Sequence, residues 1–187
     1  FSHEILSAFS NVKREDFVPE QFLLHAYDDS ALPIESGSTI SQPSTIAFML
    51  SLLELKENQK ILEIGSGSGY SLALISEIIK RGNIFGIEIN QRLAVKSKIN
   101  LAKDSNIEII NRSGSLGLSE KSPFDRILIS ASCPDMRLPS LLTDQLLNNG
   151  IIVAAVKSTI IQLKKENNKT KIKEFPGFAF VPLQDYD

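Results

Sequence analysis

Leu62-Glu63-Ile64-Gly65-Ser66-Gly67-Ser68-Gly69-Tyr70 follows an apolar run and opens a helical pattern, and its reading decides the fold. Three glycines at alternate positions leave the backbone without Cβ atoms, so a ligand can approach the turn closely. A glycine-rich turn between a strand and a helix is the setting of nucleotide-type binding loops. The bland alternative is a tight turn and nothing more. About twenty residues further on, Glu88 closes the next apolar run, where a carboxylate can accept from both ribose hydroxyls of an adenosine. A dinucleotide fingerprint needs a sixth-position glycine, and counting from Gly65 that position is Tyr70. A Walker loop needs Gly-Lys-Ser/Thr, which is absent.

Outward from the loop, short apolar runs alternate with longer helical patterns. Strands are predicted over residues 60–64, 83–89, 107–111, 124–130 and 151–156. Helices are predicted over 70–80, 91–103 and 138–147, the last closed by Asn149-Gly150. This alternation predicts an α/β fold, a doubly wound, mostly parallel Rossmann-like sheet. Three later runs, 160–165, 171–175 and 178–183, have no intervening helices and predict antiparallel strands added at the sheet edge. Upstream, Ile5, Leu6 and Phe9 share a helix face, Pro19 holds Val18 extended, and 31–43 has loop composition. A second helical pattern runs over 45–55, with Ile46, Met49, Leu50 and Leu53 on one face. One domain is expected, in three sections: 1–57 helical with a loop, 58–157 the βαβ core, and 158–187 antiparallel.

The 187 residues and 42% hydrophobic content suit one full core. A net charge of -2 gives no basic surface for nucleic acid or an anionic membrane. The apolar runs are too short to span a bilayer, and no charged-then-apolar leader opens the chain. Phe1 stands where Met is usual, so a few preceding residues are expected to be missing. A single cysteine, Cys133, excludes an intramolecular disulfide and makes a cytoplasmic address the default. His3 and His25 lie far from Cys133 in sequence, so no metal is expected. A monomer is the working expectation.

The pattern Glu-x-Gly-x-Gly-x-Gly at Glu63–Gly69 resembles the first motif of class I S-adenosylmethionine methyltransferases. The resemblance implies that Gly65, Ser66, Gly67, Gly69 and Tyr70 carry the methionine part of that cofactor, oriented by Glu63, with Glu88 on the ribose. It also places the run from Phe124 to Ser130 beside the first strand. Ser130, Ala131 and Ser132 would then floor the site, Ala131 mainly by permitting packing.

The acceptor is read from other segments. Val12-x-Arg14-Glu15-x-Phe17-Val18-Pro19, Ala26-Tyr27-x-Asp29 and Thr39-Ile40-Ser41-x-Pro43 occur in that order. With Pro123-Phe124-Asp125, Gln145-Leu146, Gln162-Leu163 and Phe180-Val181-Pro182-Leu183, they resemble the protein-L-isoaspartate O-methyltransferase family over nearly the whole chain. The resemblance implies a transferase for protein repair, moving the methyl group of S-adenosylmethionine to the free carboxylate of isoaspartyl residues and leaving S-adenosylhomocysteine. The methyl ester would then collapse to a succinimide and return part of the residue to aspartate. Isoaspartyl-containing proteins and peptides are the implied partners, and Ser41 the implied active-site residue. Ser38, Thr39 and Ile40 would complete its wall and bind the cofactor, their backbone groups facing both cofactor and substrate, and Gln184 would be the last ligand-facing position. A carboxylate of pKa about 4 is already ionised at neutral pH, so no general base is needed. The enzyme must align the acceptor and exclude water. Ser41 also suits an ordinary helix N-cap, and Asp28 and Asp29 suit turn formers.

Two departures stand out. The family's Asp-Gly after the third strand, expected on the adenine amino group, is Ser113-Gly114 here. Its Gly-Gln-Thr-Ile-Ser is Gly37-Ser38-Thr39-Ile40-Ser41. A related methyltransferase acting on another small molecule or on RNA stays open, as does a cofactor-binding protein of reduced activity. Against the first, Ser130-Ala131-Ser132-Cys133-Pro134 lacks the Asn/Asp-Pro-Pro-aromatic motif of amine-directed enzymes.

Overall fold

Alternate residues of the strand that feeds the glycine loop pack into two different cores. Ile61 packs with apolar residues of helices on one face of the sheet, and Leu62 and Ile64 with the other face. This strand is β3 (Gln59–Ile64) in a computed structural model that describes residues 1–184. It is followed by α3 (Tyr70–Ile79), β4 (Gly82–Glu88), α4 (Gln91–Asn100), β5 (Ile107–Asn111) and β6 (Phe124–Cys133). Then come α5 (Arg137–Leu141), β7 (Leu146–Val156), β8 (Thr159–Glu166) and β9 (Lys169–Pro176). Before β3 lie α1 (His3–Asn11), β1 (Leu32–Pro33), β2 (Thr39–Ile40) and α2 (Pro43–Leu53).

The seven-stranded sheet runs β5-β4-β3-β6-β7-β8-β9. Its first five strands are parallel, and β8 and β9 add antiparallel at one edge. This is the doubly wound α/β arrangement with an antiparallel C-terminal addition that the alternation predicted. β6 lies beside β3, in register from Ile61↔Arg126 to Ile64↔Ile129, as the resemblance implied. Strand order therefore reverses between β3 and β6, and the glycine loop and Ser130 emerge at that point. Crevices at such switch points are where open α/β sheets hold ligands.

Two expectations are corrected. Residues 138–147 do not form one helix. The α-helix stops at Leu141, a 3-10 turn covers Leu142–Gln145, and Leu146 already pairs with Phe124. Leu138, Leu142 and Leu146 are all buried, but their helical spacing is overridden by tertiary demands. Gln145 accepts from the Leu118 N–H at 2.8 Å and donates to the Leu116 carbonyl at 2.7 Å. Lys165 donates to the carbonyls of Thr143 and Leu146, groups a continuing helix would have used. Asn149-Gly150 thus lies inside β7, in a bulge between the pairs Phe124↔Leu146 and Arg126↔Ile151, not at a helix end.

Residues 178–183 are not a sheet strand. Gly177, at φ 99°, turns the chain out of β9, and the N–H groups of Gly177 and Phe178 both donate to Ser158. The segment then crosses the end of β6. There Ser132 donates to the Val181 carbonyl at 2.8 Å and accepts from the Leu183 N–H at 2.9 Å. Pro182, lacking an N–H, forms only an isolated bridge to Ser132. The final three positions of the expected section 158–187 lie outside the described residues.

Candidate active site at the sheet switch point

Two clefts adjoin at the carboxyl ends of β3, β4 and β6. The first has about 500 Å³ of empty space and is lined by Thr39, Ile40, Ser41, Glu63, Gly65, Ser66, Gly67 and Tyr70. Ile46, Met49, Ser68, Ser71, Leu128 and Ser130 complete it. The second, about 840 Å³ and open, shares Thr39, Gly65, Gly67 and Ser130. It adds Gly37, Ser38, Glu88, Ile89, Ala131 and residues Val181, Pro182, Leu183 and Gln184. Among the described residues the acidic side chains on these walls are Glu63 and Glu88, and neither cleft is lined by a Lys, Arg or His.

Glu63 is 1% exposed. Its Oε1 accepts from the Ser130 hydroxyl at 2.5 Å, and its Oε2 is buried without a partner. Burial pushes its carboxyl up to about 8, a rise to which the Glu88 charge adds and which the Ser130 hydroxyl partly offsets. Both oxygens of Glu88 are met by backbone: Gly67 N–H donates to Oε2 and Asn90 N–H to Oε1, both at 2.8 Å. Glu88 therefore ties the glycine loop to the turn after β4 while bordering the second cleft.

The glycines divide their work. Gly65, at φ 78°, comes close enough that a Cβ would touch Ala131, and Gly67 faces Ile34; both border the clefts. Gly69 serves packing. At φ 89° it leaves room for Ser97 of α4 and for Leu101 just past its end, both of which a Cβ would meet at 2.7 Å. Tyr70 opens α3 with its ring 2% exposed, packed on Phe9 and Phe17 with the Arg14 guanidinium 5.2 Å from its centroid. Its contribution to the cleft is a buried wall behind the loop.

Ser41 precedes α2 and borders the first cleft, and its hydroxyl has no hydrogen-bond partner among the described residues. It is not the N-cap. Gln42 takes that place without a side-chain cap bond, and the Ser44 N–H is met instead by Asp29 at 2.9 Å. The Thr39-Ile40 pair is held by Pro33 and Leu32 in a two-residue ladder.

Ser113 and Gly114 line neither cleft. Ser113 Oγ donates to Ser115 Oγ at 3.0 Å and accepts from the Ser115 N–H at 3.3 Å. A Cβ on Gly114 would meet Ile64 at 2.4 Å. Sequence reasoning missed Ile46, Met49, Leu128 and Ser71 as wall residues, because each reads as ordinary apolar or helix surface. It missed Asp29 because the cap crosses 15 residues. Val181, Pro182 and Leu183 were legible only through the resemblance, and Gln184 does reach the second cleft.

A bound S-adenosylmethionine suits this donor set. Glu63 Oε2 and Ser66 Oγ are buried and unpaired at the first cleft, and a buried polar atom without a partner is one that a ligand can satisfy. Two carboxyl groups on walls that hold no cationic side chain among the described residues suit a positively charged group, and the start of α3 offers free backbone N–H groups to a carboxylate.

The family model for "Protein-L-isoaspartate(D-aspartate) O-methyltransferase (PCMT)" matches residues 1–187. A protein-L-isoaspartate O-methyltransferase of Petrotoga mobilis is 41% identical over 188 residues, 96% of this chain and 86% of that protein. One of Methanothrix thermoacetophila is 38% identical over 187 residues, covering 97% and 88%. Among solved structures, one named protein-L-isoaspartate O-methyltransferase superposes with a TM-score of 0.88 at 25% identity, over 97% of this chain and 61% of its own. A Plasmodium falciparum crystal structure in complex with S-adenosyl-L-homocysteine shares the fold, with a TM-score of 0.83 at 24% identity, over 98% and 91%.

Proposed function

Because the chain belongs to the protein-L-isoaspartate(D-aspartate) O-methyltransferase family, we propose that its two adjoining clefts divide the reaction, one for the donor and one for the damaged peptide. The chain is an S-adenosylmethionine-dependent carboxyl O-methyltransferase that acts on isoaspartyl residues. The match over residues 1–187 carries this reading, since it spans the glycine loop, the Ser41 segment and Val181–Leu183 together.

When bound, S-adenosylmethionine supplies an electrophilic methyl group on a positively charged sulfur. In our reading Gly65, Ser66 and Gly67 hold its methionine part and Glu88 its ribose, with Glu63 presenting the unpaired oxygen to positive charge. Gly69 and Tyr70 shape the loop from behind. Ser113-Gly114 holds the adenine side by the family pattern, although neither residue borders a cleft. Ser41 donates to one oxygen of the acceptor carboxylate and leaves the other free to attack. Ser38, Thr39 and Ile40 form the wall that keeps water out. No base is required, because the acceptor is an anion before it enters. Among the described residues the walls carry no cationic side chain, so the acceptor depends on hydroxyl and backbone donors for its stabilisation.

We also read the chain as one domain in the sections 1–57, 58–157 and 158–187, and as a cytoplasmic monomer that does not bind nucleic acid. The near-neutral charge supports the absence of nucleic-acid binding, and the single cysteine supports the cytoplasmic address. Among the described residues no helix is long and apolar enough to cross a membrane. The deciding experiment offers two peptides that differ only in an isoaspartyl or aspartyl linkage. Methyl transfer is expected to the isoaspartyl peptide alone, and equal transfer to both would reject the assignment.

A further inference from the structure

We infer that Asp29, which lies outside the clefts, is a positioning residue for the methyl acceptor, acting on Ser41 by capping the helix that Ser41 precedes. The inference rests on the reading of Ser41 given above. The Ser41 hydroxyl has no hydrogen-bond partner among the described residues, so its placement descends from its backbone neighbours. On one side, Ile40 pairs with Leu32. On the other, Gln42 at the N-cap of α2 gives no side-chain cap bond, and Pro43, the first helical residue, has no N–H.

The first free N–H of α2 is that of Ser44, and Asp29 Oδ1 accepts it at 2.9 Å. Asp29 Oδ2 also lies 3.5 Å from the Gln42 amide nitrogen, which donates to Ser44 Oγ at 3.0 Å. An acceptor at this end satisfies an otherwise orphaned donor, and its negative charge suits the helix dipole. The Ser44 N–H, the Ser44 hydroxyl and the Arg14 charge together hold the Asp29 carboxyl below its ordinary range.

Asp29 is itself anchored. Arg14, fully buried, donates from Nε to the Ala26 carbonyl at 2.7 Å, and Tyr27 donates to Glu15. The chain then runs through Asp29 to Leu32 and Pro33, which pair with Ile40 and Thr39. Both supports of the Ser41 wall, the ladder and the cap, thus come from one segment pinned on Arg14.

The test measures kcat and KM for an isoaspartyl peptide and calorimetric affinity for S-adenosylhomocysteine in the full chain. Asp29→Ala is expected to lower kcat about five- to tenfold, the scale of a lost cap, with cofactor-product affinity within about twofold. Asp29→Asn keeps the acceptor without the charge and should restore kcat to within about threefold. Asp29→Glu keeps the charge, moves the acceptor by a methylene, and should stay slow in a folded protein even if Asp29→Ala fails to fold. Combined with Ser41→Ala, Asp29→Glu should add little further loss, because both act through one hydroxyl. Additive losses, an Asn variant as slow as the Glu variant, or a parallel fall in S-adenosylhomocysteine affinity would each overturn the inference alone. Wild-type turnover in Ser41→Ala would overturn the reading of Ser41 and the inference with it.

Discussion

The Ser130 hydroxyl donates to Glu63 Oε1 at 2.5 Å across the β3–β6 pair, which leaves the second Glu63 oxygen buried and unpaired at the cleft. The groups acting on this carboxyl are Ser130 of β6, Ser71 of α3 and Glu88 of β4, and none is a cation. The carboxyl is therefore held up to about 8, chiefly by burial.

That value gives a pH dependence with a definite sign. Between the ordinary 4.5 and about 8 the folded protein binds a proton at Glu63 that the unfolded chain has released. The ligand-free protein should thus lose stability as pH rises through this window and level off above it. Thermal melts from pH 5 to 9 should show the slope, and Glu63→Gln should flatten it. A cationic ligand favours the ionised carboxylate, so S-adenosylmethionine binding near pH 7 should release up to about one proton. Calorimetry in buffers of different ionisation enthalpy reads that release directly. Identical heats in all buffers would mean that Glu63 does not change state.

Ser113 supplies a neutral oxygen where the family pattern has a carboxylate, and that oxygen is already engaged by Ser115. Ser113→Asp would present a charged acceptor, and a hydrogen bond to a charged group is worth about twice a neutral one. Affinity for S-adenosylhomocysteine should rise about fivefold, a difference of about 1 kcal/mol. Unchanged or weaker calorimetric affinity would place the adenine away from residue 113.

Gly69→Ala separates packing from ligand approach. The new methyl would meet Leu101 and Ser97 at 2.7 Å with φ at 89°. Left-handed strain of about 1–2 kcal/mol and overpacking of about 1–3 kcal/mol should together lower the melting temperature by about 5–15 °C. A melt within 2 °C of wild type would show that α4 yields without cost.

The parallel core was legible because its strands are short, apolar and bounded by turn residues, and because Glu63–Tyr70 is a local signal. Ser41, Glu63, Gly65, Ser66, Gly67 and Tyr70 do converge on one cleft. Residues 138–147 misled because leucines spaced by four fit a helix, while Gln145 and Lys165 recruit the same backbone for distant partners. Residues 178–183 form a short apolar run like a strand, yet they bond to Ser132 at the end of β6 instead of along a neighbour. The cap on α2 was invisible for the same reason: its acceptor, Asp29, is remote in sequence. What escaped the sequence was the part built from long-range side-chain contacts.

Val181 to Gln184 supply one wall of the second cleft, and upstream the aromatic ring of Phe178 fastens the segment that carries them. Phe178 stacks on Phe48 of α2, with centroids 5.6 Å apart and planes within 9°, while Phe175 meets Phe48 edge-on at 5.2 Å. Both partners of the stack are only half-buried, so losing one ring should spare the core. The stack is worth about 0.5–1.5 kcal/mol beyond its area. Phe178→Ala should therefore raise KM for an isoaspartyl peptide about three- to tenfold. Phe178→Leu, which keeps apolar contact without stacking, should fall between. Affinity for S-adenosylhomocysteine separates the possible roles of this wall. If Val181 to Gln184 grip the peptide, that affinity stays within about twofold while KM rises. An equal loss in both would assign the wall to the cofactor and leave peptide recognition to Ser38–Ser41 alone.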